Sequence, residues 1–279
     1  MSKDVWFITG ASTGLGKALV EYLLTQNCRV TATARNPEDI KKYVPNWEHL
    51  DNLLILALDV TNKVQVQESI DMVVKTWHTI DVLVNNAGYA YFSSVECADD
   101  RLVQNMFNVN FWGIKNMLDN VLPIMRKQHH GYIMNVSSLG GLRAFAGFGY
   151  YHATKFALEG LTESLALEVN PLEIDVTLIE PGDFNTDFAS RSAIENKNIA
   201  SSYINTAGRN IKNLKLLSGN QPGDPSKAAK VIYELQLSGK RPLRLLLGSD
   251  AYVRATEKVE ELQKQFKENY SRTVSTDFE

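Results

Sequence analysis

The stretch Val5-Trp6-Phe7-Ile8-Thr9-Gly10-Ala11-Ser12-Thr13-Gly14-Leu15-Gly16 decides the fold. Its opening is a short apolar run of strand type. Three glycines then interrupt it, and Leu19, Val20, Leu23 and Leu24 follow at helical spacing, so the stretch reads as strand, tight turn and helix. Glycine permits the turn and a close backbone approach, while a helix start offers unpaired N–H groups and a positive dipole end to a pyrophosphate. Gly10, Ser12, Thr13, Gly14, Leu15 and Gly16 are therefore candidate dinucleotide-binding residues. Their spacing, Gly-x3-Gly-x-Gly, differs from the commoner Gly-x-Gly-x2-Gly but serves the same geometry; a glycine turn needed only for packing is the competing reading.

Outward from this turn, strand-type runs near residues 5–9, 29–33, 53–58, 81–85, 131–136, 174–179 and 243–247 alternate with helix-period segments. That alternation predicts an α/β fold: a single Rossmann-type, doubly wound parallel sheet of about seven strands with helices on both faces. The runs at 53–58 and 82–84 are apolar without period-two alternation, which predicts strands buried on both faces. Val66, Ile70, Val73, Val74 and Trp77 mark a helix over 63–77, and residues 99–125 read as one long helical region ending near Pro123. Residues 183–223 lose clear patterning between a Pro-Gly and a Pro-Gly-Asp-Pro and read as a substrate lid. Residues 251–270 read as an amphipathic C-terminal helix, with Val259, Leu262, Phe266 and Tyr270 on the side that packs on the domain or on a partner subunit.

No Pro/Ser/Gly-rich linker or charge block divides the 279 residues, so one domain over 1–279 is expected. A net charge of −3 with no basic stripe argues against nucleic acid as a partner. Two distant cysteines, Cys28 and Cys97, give neither a disulfide framework nor a zinc site, and a reducing compartment is the default. His129-His130 read as solvated loop residues, so no metal site is expected. The apolar run at Val5 leaves no room for a signal peptide, and no apolar stretch approaches twenty residues, so a cytoplasmic protein without a membrane partner is expected.

The end of the second strand carries Ala34-Arg35 where dinucleotide folds usually hold a carboxylate for the adenosine ribose. A guanidinium there favours NADP(H), whose 2′-phosphate it pairs with, over NAD(H), which stays possible. An exposed arginine in the turn before Pro37 is the alternative, and Thr13 stands where a second basic residue would strengthen the preference.

In Tyr151-His152-Ala153-Thr154-Lys155 a phenol and an ammonium lie one helical turn apart, and none of the other ten tyrosines has a lysine four residues later. A neighbouring cation favours the phenolate, which turns tyrosine into a general acid/base usable near neutral pH. The alternative is a solvated helix face with a snorkelling lysine.

Together with Thr9-Gly10 to Leu15-Gly16, the chain shows Asp59-Val60 after the third strand, Asn85-Asn86-Ala87-Gly88 after the fourth, Asn108-Val109-Asn110-Phe111-Trp112-Gly113, Ser138 thirteen residues before Tyr151, Lys155, and Pro181-Gly182. In these motifs the sequence resembles the short-chain dehydrogenase/reductase family over nearly its whole length. Through Leu247-Gly248-Ser249-Asp250-Ala251-Tyr252 the longer C-terminal part resembles a bacterial branch near the 17β-hydroxysteroid dehydrogenases. The resemblance implies an oxidoreductase that interconverts a ketone or aldehyde with an alcohol by hydride transfer. Tyr151 is then the general acid/base, Lys155 the holder of the nicotinamide ribose and stabiliser of tyrosinate, Ser138 the hydrogen-bond partner of the substrate oxygen, and Asn110 the anchor of a water that links Lys155 to solvent. It also places Asp59 at the adenine with Val60 beside it, Asn86, Ala87 and Gly88 past the adenosine ribose, and Pro181, Gly182, Phe184 and Thr186 near the nicotinamide. A homodimer or homotetramer follows from the same resemblance.

Local alternatives stand beside these assignments. Ser137 rivals Ser138, although period-two geometry sends the two side chains in opposite directions. Tyr150 rivals Tyr151 but lacks the lysine. Asn110 serves equally to bend the long helix, Asp59 to close a strand end, and His152 takes no role. Tyr89, Tyr91, Phe92, Phe145 and Phe148 read as lining for an apolar or cyclic carbonyl substrate, or as packing beneath the lid. A non-catalytic dinucleotide-binding regulatory protein is the alternative function on the same fold.

Overall fold

A computed structural model describes residues 4–189 and 192–278. In chain order the elements are β1 (Val5–Ile8), α1 (Gly14–Thr25), β2 (Arg29–Ala34), α2 (Glu38–Lys41), β3 (Leu53–Ala57), α3 (Lys63–Trp77), β4 (Val82–Asn85), β5 (Ala90–Phe92), α4 (Asp100–Phe107), α5 (Gly113–Gln128), β6 (Gly131–Val136), α6 (Gly149–Val169), β7 (Ile174–Pro181), β8 (Ala193–Glu195), α7 (Arg209–Leu217), α8 (Pro225–Leu237), β9 (Arg244–Leu247), α9 (Ser249–Glu268) and α10 (Tyr270–Val274). Seven strands form one parallel sheet in the order β3-β2-β1-β4-β6-β7-β9, and β5 pairs with β8 in a separate two-stranded ribbon. The seven sheet strands are those anticipated from the apolar runs.

Period-two geometry splits the core into two layers. Trp6 and Ile8 face one side, where Leu19, Val20 and Leu23 of α1 and Ala228 and Ile232 of α8 cover them; Val5 and Phe7 face the other, beneath Val66, Ile70, Met117, Val121 and Leu158 of α3, α5 and α6. Helices on both faces follow from right-handed crossovers between parallel strands. The strand order reverses beside β1, which opens a crevice at the carboxyl ends of β1 and β4, where ligands of such sheets bind.

Three expectations need correction. β3 is an edge strand, so only Leu53 is buried and Ala57 is exposed, whereas Val82, Leu83 and Val84 are buried as expected. Pro123 does not end its helix. The helical run continues from Asp100 through a π-helical turn at Asn108–Trp112 to Gln128, and stops where His129 adopts a left-handed conformation. Burial of Val121 and Met125 on the sheet holds the helix across the proline, whose missing N–H and ring clash cost about 3 kcal/mol in a helix interior. The C-terminal helix packs through Ala251 and Ala255 against Leu139, while Val259, Phe266 and Tyr270 are exposed on this chain.

The segment read as a lid carries β8 and α7 and contributes Phe188, Ala193, Ile199, Ile211 and Leu214 to an apolar cluster with Tyr91, Phe92 and Tyr151. Within it, Ser190 and Arg191 lie outside the described residues.

Candidate active site

The glycine turn is built by close backbone approach. Gly10 sits at φ +66°, and a Cβ there would fall 2.7 Å from the Cα of Ala87; one on Gly16 would fall 2.6 Å from the carbonyl oxygen of Gly10. Side chains bolt the neighbouring loop to this turn. Thr9 Oγ1 accepts from the amides of Asn86 and Ala87, both at 3.0 Å, and Asn86 Nδ2 donates to the carbonyls of Thr9 and Gly10 at 3.0 and 2.9 Å. The Tyr43 hydroxyl, missed in the sequence for lack of any motif, donates to the carbonyl of Ala11 at 2.7 Å and closes the turn from outside.

At the start of α1, Thr13 makes no side-chain cap, and no acidic residue occupies the first turn. The first turn of this twelve-residue helix thus offers its N–H groups and positive dipole end without a carboxylate or cap of its own, as a pyrophosphate site requires. Ser12, Thr13 and Gly14 line a cleft of about 540 Å³ whose opposite wall includes Asn185, Thr186 and Asp187, and Thr186 lies close to Gly14. Arg35 is exposed at the end of β2, and its charge reaches the Tyr89 hydroxyl, which burial pushes up and Arg35 pulls down. These residues fit a dinucleotide.

Other members of the expected set are occupied differently. One oxygen of Asp59 accepts from the amide and hydroxyl of Thr61, at 2.9 and 2.7 Å, and so orders its own turn; Val60 packs against Gly113 and accepts from Asn116 through its carbonyl. Pro181 closes β7, and the amide of Gly182 donates to Leu247 at 2.9 Å. The ring of Phe184 fills the space over Gly223 and joins the core layer of α1 and α8, whereas the phenylalanine brought to Tyr151 is Phe188, with ring centroids 5.8 Å apart.

Tyr151 and Lys155 share one face of α6, as their spacing implied. The ammonium lies 5.9 Å from the phenol ring centre and donates to the carbonyl of Val136 at 2.8 Å. Ser138 hydrogen-bonds to Tyr151 and caps the following turn by accepting from the Gly140 amide at 3.0 Å. Ser137 faces the opposite way and donates to Glu159. Tyr150 stands apart from Lys155 in the apolar cluster. His152 Nδ1 pairs with the Gly140 carbonyl and Nε2 accepts from the Phe145 amide, both at 2.9 Å, which pins the loop between Ser138 and α6. Asn110 is fully buried in the π-helical turn. Its amide donates to the Tyr89 carbonyl and Thr154 and accepts from the Tyr89 amide, while its oxygen faces Gly88, which in turn faces the Lys155 ammonium. Through Ala87 and Gly88 the phosphate turn and Lys155 are contiguous.

Burial dominates the electrostatics of the pair in the protein alone. Burial pushes the Tyr151 phenol up to about 12, against the hydrogen bond from Ser138, and pushes the Lys155 ammonium down to about 8, against the charge of Glu159. Burial thus disfavours the phenolate and the ammonium alike, and a phenol raised in this way holds its proton at neutral pH.

A family model described as short chain dehydrogenase matches residues 4–197. A 3-ketodihydrosphingosine reductase of Bacteroides thetaiotaomicron is 34% identical over 255 residues, covering 89% of each chain. The crystal structure of a short-chain dehydrogenase from Streptomyces avermitilis superposes over the whole of both chains with a TM-score of 0.91 at 34% identity. Two more distant structures share the fold, one from Burkholderia phymatum in complex with NAD (TM-score 0.82, 21% identity, 95% of each chain) and one from Burkholderia cenocepacia in complex with NADP (TM-score 0.73, 22% identity, 96% of this chain and 97% of that one). The chain belongs to the short-chain dehydrogenase family, a family of oxidoreductases whose fold takes nicotinamide dinucleotides. No helix among the described residues is long and apolar enough to cross a membrane.

Proposed function

We propose that this chain interconverts a carbonyl compound and an alcohol with NADP(H), using Asn110, Ser138, Tyr151 and Lys155. The observation that carries this reading is the convergence of Ser138, Tyr151 and Lys155 on a buried spot joined, through Gly88 and Ala87, to the glycine turn. The bound cofactor supplies or accepts the hydride. In reduction the Tyr151 hydroxyl gives its proton to the carbonyl oxygen, and Ser138 holds that oxygen and stabilises its developing charge. A phenol kept protonated by burial suits this direction at neutral pH; the reverse direction needs the phenolate and therefore a higher pH. Lys155 holds the ribose hydroxyls, and a water held by Asn110, linking Lys155 to solvent, refills the proton. The dinucleotide contacts are assigned to residues 10 and 12–16, Asp59, Val60, Asn86, Ala87, Gly88, Pro181, Gly182, the backbone at Phe184, and Thr186. Arg35 is assigned to the 2′-phosphate, which supports NADP(H).

The aromatic cluster of Tyr89, Tyr91, Phe92, Phe148 and Phe188 around Tyr151 supports an apolar carbonyl substrate, covered by residues 183–223 acting as a lid. The relative named for 3-ketodihydrosphingosine supplies the first ketone to try. A single cytoplasmic domain that assembles as a dimer or tetramer completes the reading. The decisive experiment measures oxidation of NADPH and NADH by the purified protein against long-chain, cyclic and short ketones and aldehydes. Turnover with at least one, lost in Tyr151→Phe while NADPH still binds, is the expected result. An equally active Tyr151→Phe overturns it, and NADPH binding with no turnover across the panel returns the chain to the binding-protein alternative.

A further inference from the structure

Behind Ser138, Tyr151 and Lys155 lies a second cluster that the proposed chemistry does not use. Glu159 follows Lys155 by one turn of α6 and is buried; Glu180 is fully buried near the end of β7, directly before Pro181-Gly182. Arg244 of β9 reaches between them. Its Nη2 donates to Glu159 Oε2 at 3.1 Å and to Glu163 Oε1 at 2.5 Å, and its Nε lies 3.2 Å from Glu180 Oε1. Ser137, at the end of β6, donates to the other Glu159 oxygen.

Charge counting inside this cluster leaves one proton to place. If every carboxyl were ionised, Glu159, Glu163 and Glu180 would face the two cations Lys155 and Arg244, and a net negative charge would sit beneath the sheet edge. Among the described residues the one donor that approaches a Glu180 oxygen is Arg244 Nε, at ion-pair distance but poorly aligned for a hydrogen bond, and the Glu180 carboxyl faces that of Glu159. One proton on the Glu180 carboxyl turns one of its oxygens into a donor toward Glu159 and balances two anions against two cations.

We propose that Glu159 is the buried counter-ion of Lys155, and that Glu180 is a protonated partner whose hydrogen bond, with Ser137 and Arg244, fixes Glu159 in place. Glu159 is then a positioning residue. It keeps Lys155 charged inside the fold, where Tyr151 is neutral and offers no counter-charge. The directions of titration agree: Glu159 opposes the burial that lowers Lys155, and burial followed by Glu159 raises Glu180 to about 8. The relevance of Lys155's charge to turnover rests on the function proposed above, but its existence does not.

The test reads Lys155 in cofactor-free protein by NMR titration of 13Cε-labelled lysines, with its signal assigned by its loss in Lys155→Met. Glu159→Gln should lower the Lys155 midpoint by about one pH unit, a tenfold loss of proton affinity. Glu180→Gln, whose amide donates the same hydrogen bond, should leave that midpoint where it is in the wild type. An unmoved midpoint in Glu159→Gln, or equal shifts in both variants, overturns the proposal. Should Glu159→Gln not fold, 13Cδ-glutamate spectra of the wild type decide: Glu159 ionised and Glu180 protonated at pH 6 support the assignment, and an ionised Glu180 sinks it. Once turnover is in hand, the alkaline limb of the NADPH KM–pH profile should move down with the Lys155 midpoint in Glu159→Gln, which a merely structural defect would not produce. A failed substrate screen would refute the proposed activity and leave the NMR result standing.

Discussion

At the start of α1, Gly10 and Gly16 touch backbone so closely that neither has room for one more carbon. Across the crevice, residues 183–223 reach Tyr151 through side chains, chiefly the ring of Phe188 and a loose set of half-buried apolar contacts. One region is shaped by main chain against main chain and leaves no freedom; the other, tied to the body by the β5–β8 ribbon, meets Tyr151 through side chains that can repack. That difference matches the proposed division of labour, in which an invariant pyrophosphate meets the rigid turn and a substrate of variable shape meets the adaptable cover.

The largest expected effect lies between the two regions. Tyr151→Phe should lower kcat by about 10²- to 10⁴-fold, the usual worth of a general acid, with NADPH binding by fluorescence titration nearly unchanged. Within the rigid region, Gly16→Ala should cost about 1–3 kcal/mol of stability and weaken NADPH binding, since the new methyl meets the Gly10 carbonyl; an unchanged melting temperature and affinity would break the contrast drawn above. Arg35→Ser should raise the KM for NADPH by about tenfold or more and leave that for NADH alone, as loss of a charge-assisted hydrogen bond of about 1.5–3 kcal/mol requires.

A pH experiment probes the buried floor of the site. Because Glu180 is raised in the folded protein, the fold holds a proton that the unfolded chain releases near pH 4.5. Its contribution is fully present below that pH and is lost as pH rises toward about 8. Wild-type stability should therefore decline over this window, and Glu180→Gln should flatten the decline in urea unfolding. The smallest effect belongs to the cover: Phe188→Ala should change the substrate KM only a few-fold, because neighbouring apolar side chains can fill in. A loss as large as that of Tyr151→Phe would show the cover to be as exacting as the turn.

The parts of the arrangement legible in sequence depend on local geometry. Tyr151 and Lys155 meet because four residues make one helical turn, and Ser137 and Ser138 part because alternate side chains on extended backbone point apart. Glu159, Glu180 and Arg244 carry no such signal, since they come from α6, β7 and β9 and meet only through the sheet order. Phe184 and Phe188 are both phenylalanines just past Pro181-Gly182, and only the path of the chain sends one to Gly223 and the other to Tyr151. Apolar runs mark all seven sheet strands, but they do not show that β3 lies at the edge, because edge position is a property of the assembled sheet. The stripe of Val259, Phe266 and Tyr270 likewise shows amphipathic pattern without showing what it covers.

By itself the sequence determined the alternation of strand and helix, the glycine turn and the helical pairing of phenol and ammonium, because each depends on residues near one another along the chain. The tertiary structure alone decided the burial of that pair. Desolvation is set by everything packed around a group, and here it disfavours the charged form of both, the phenolate of Tyr151 and the ammonium of Lys155.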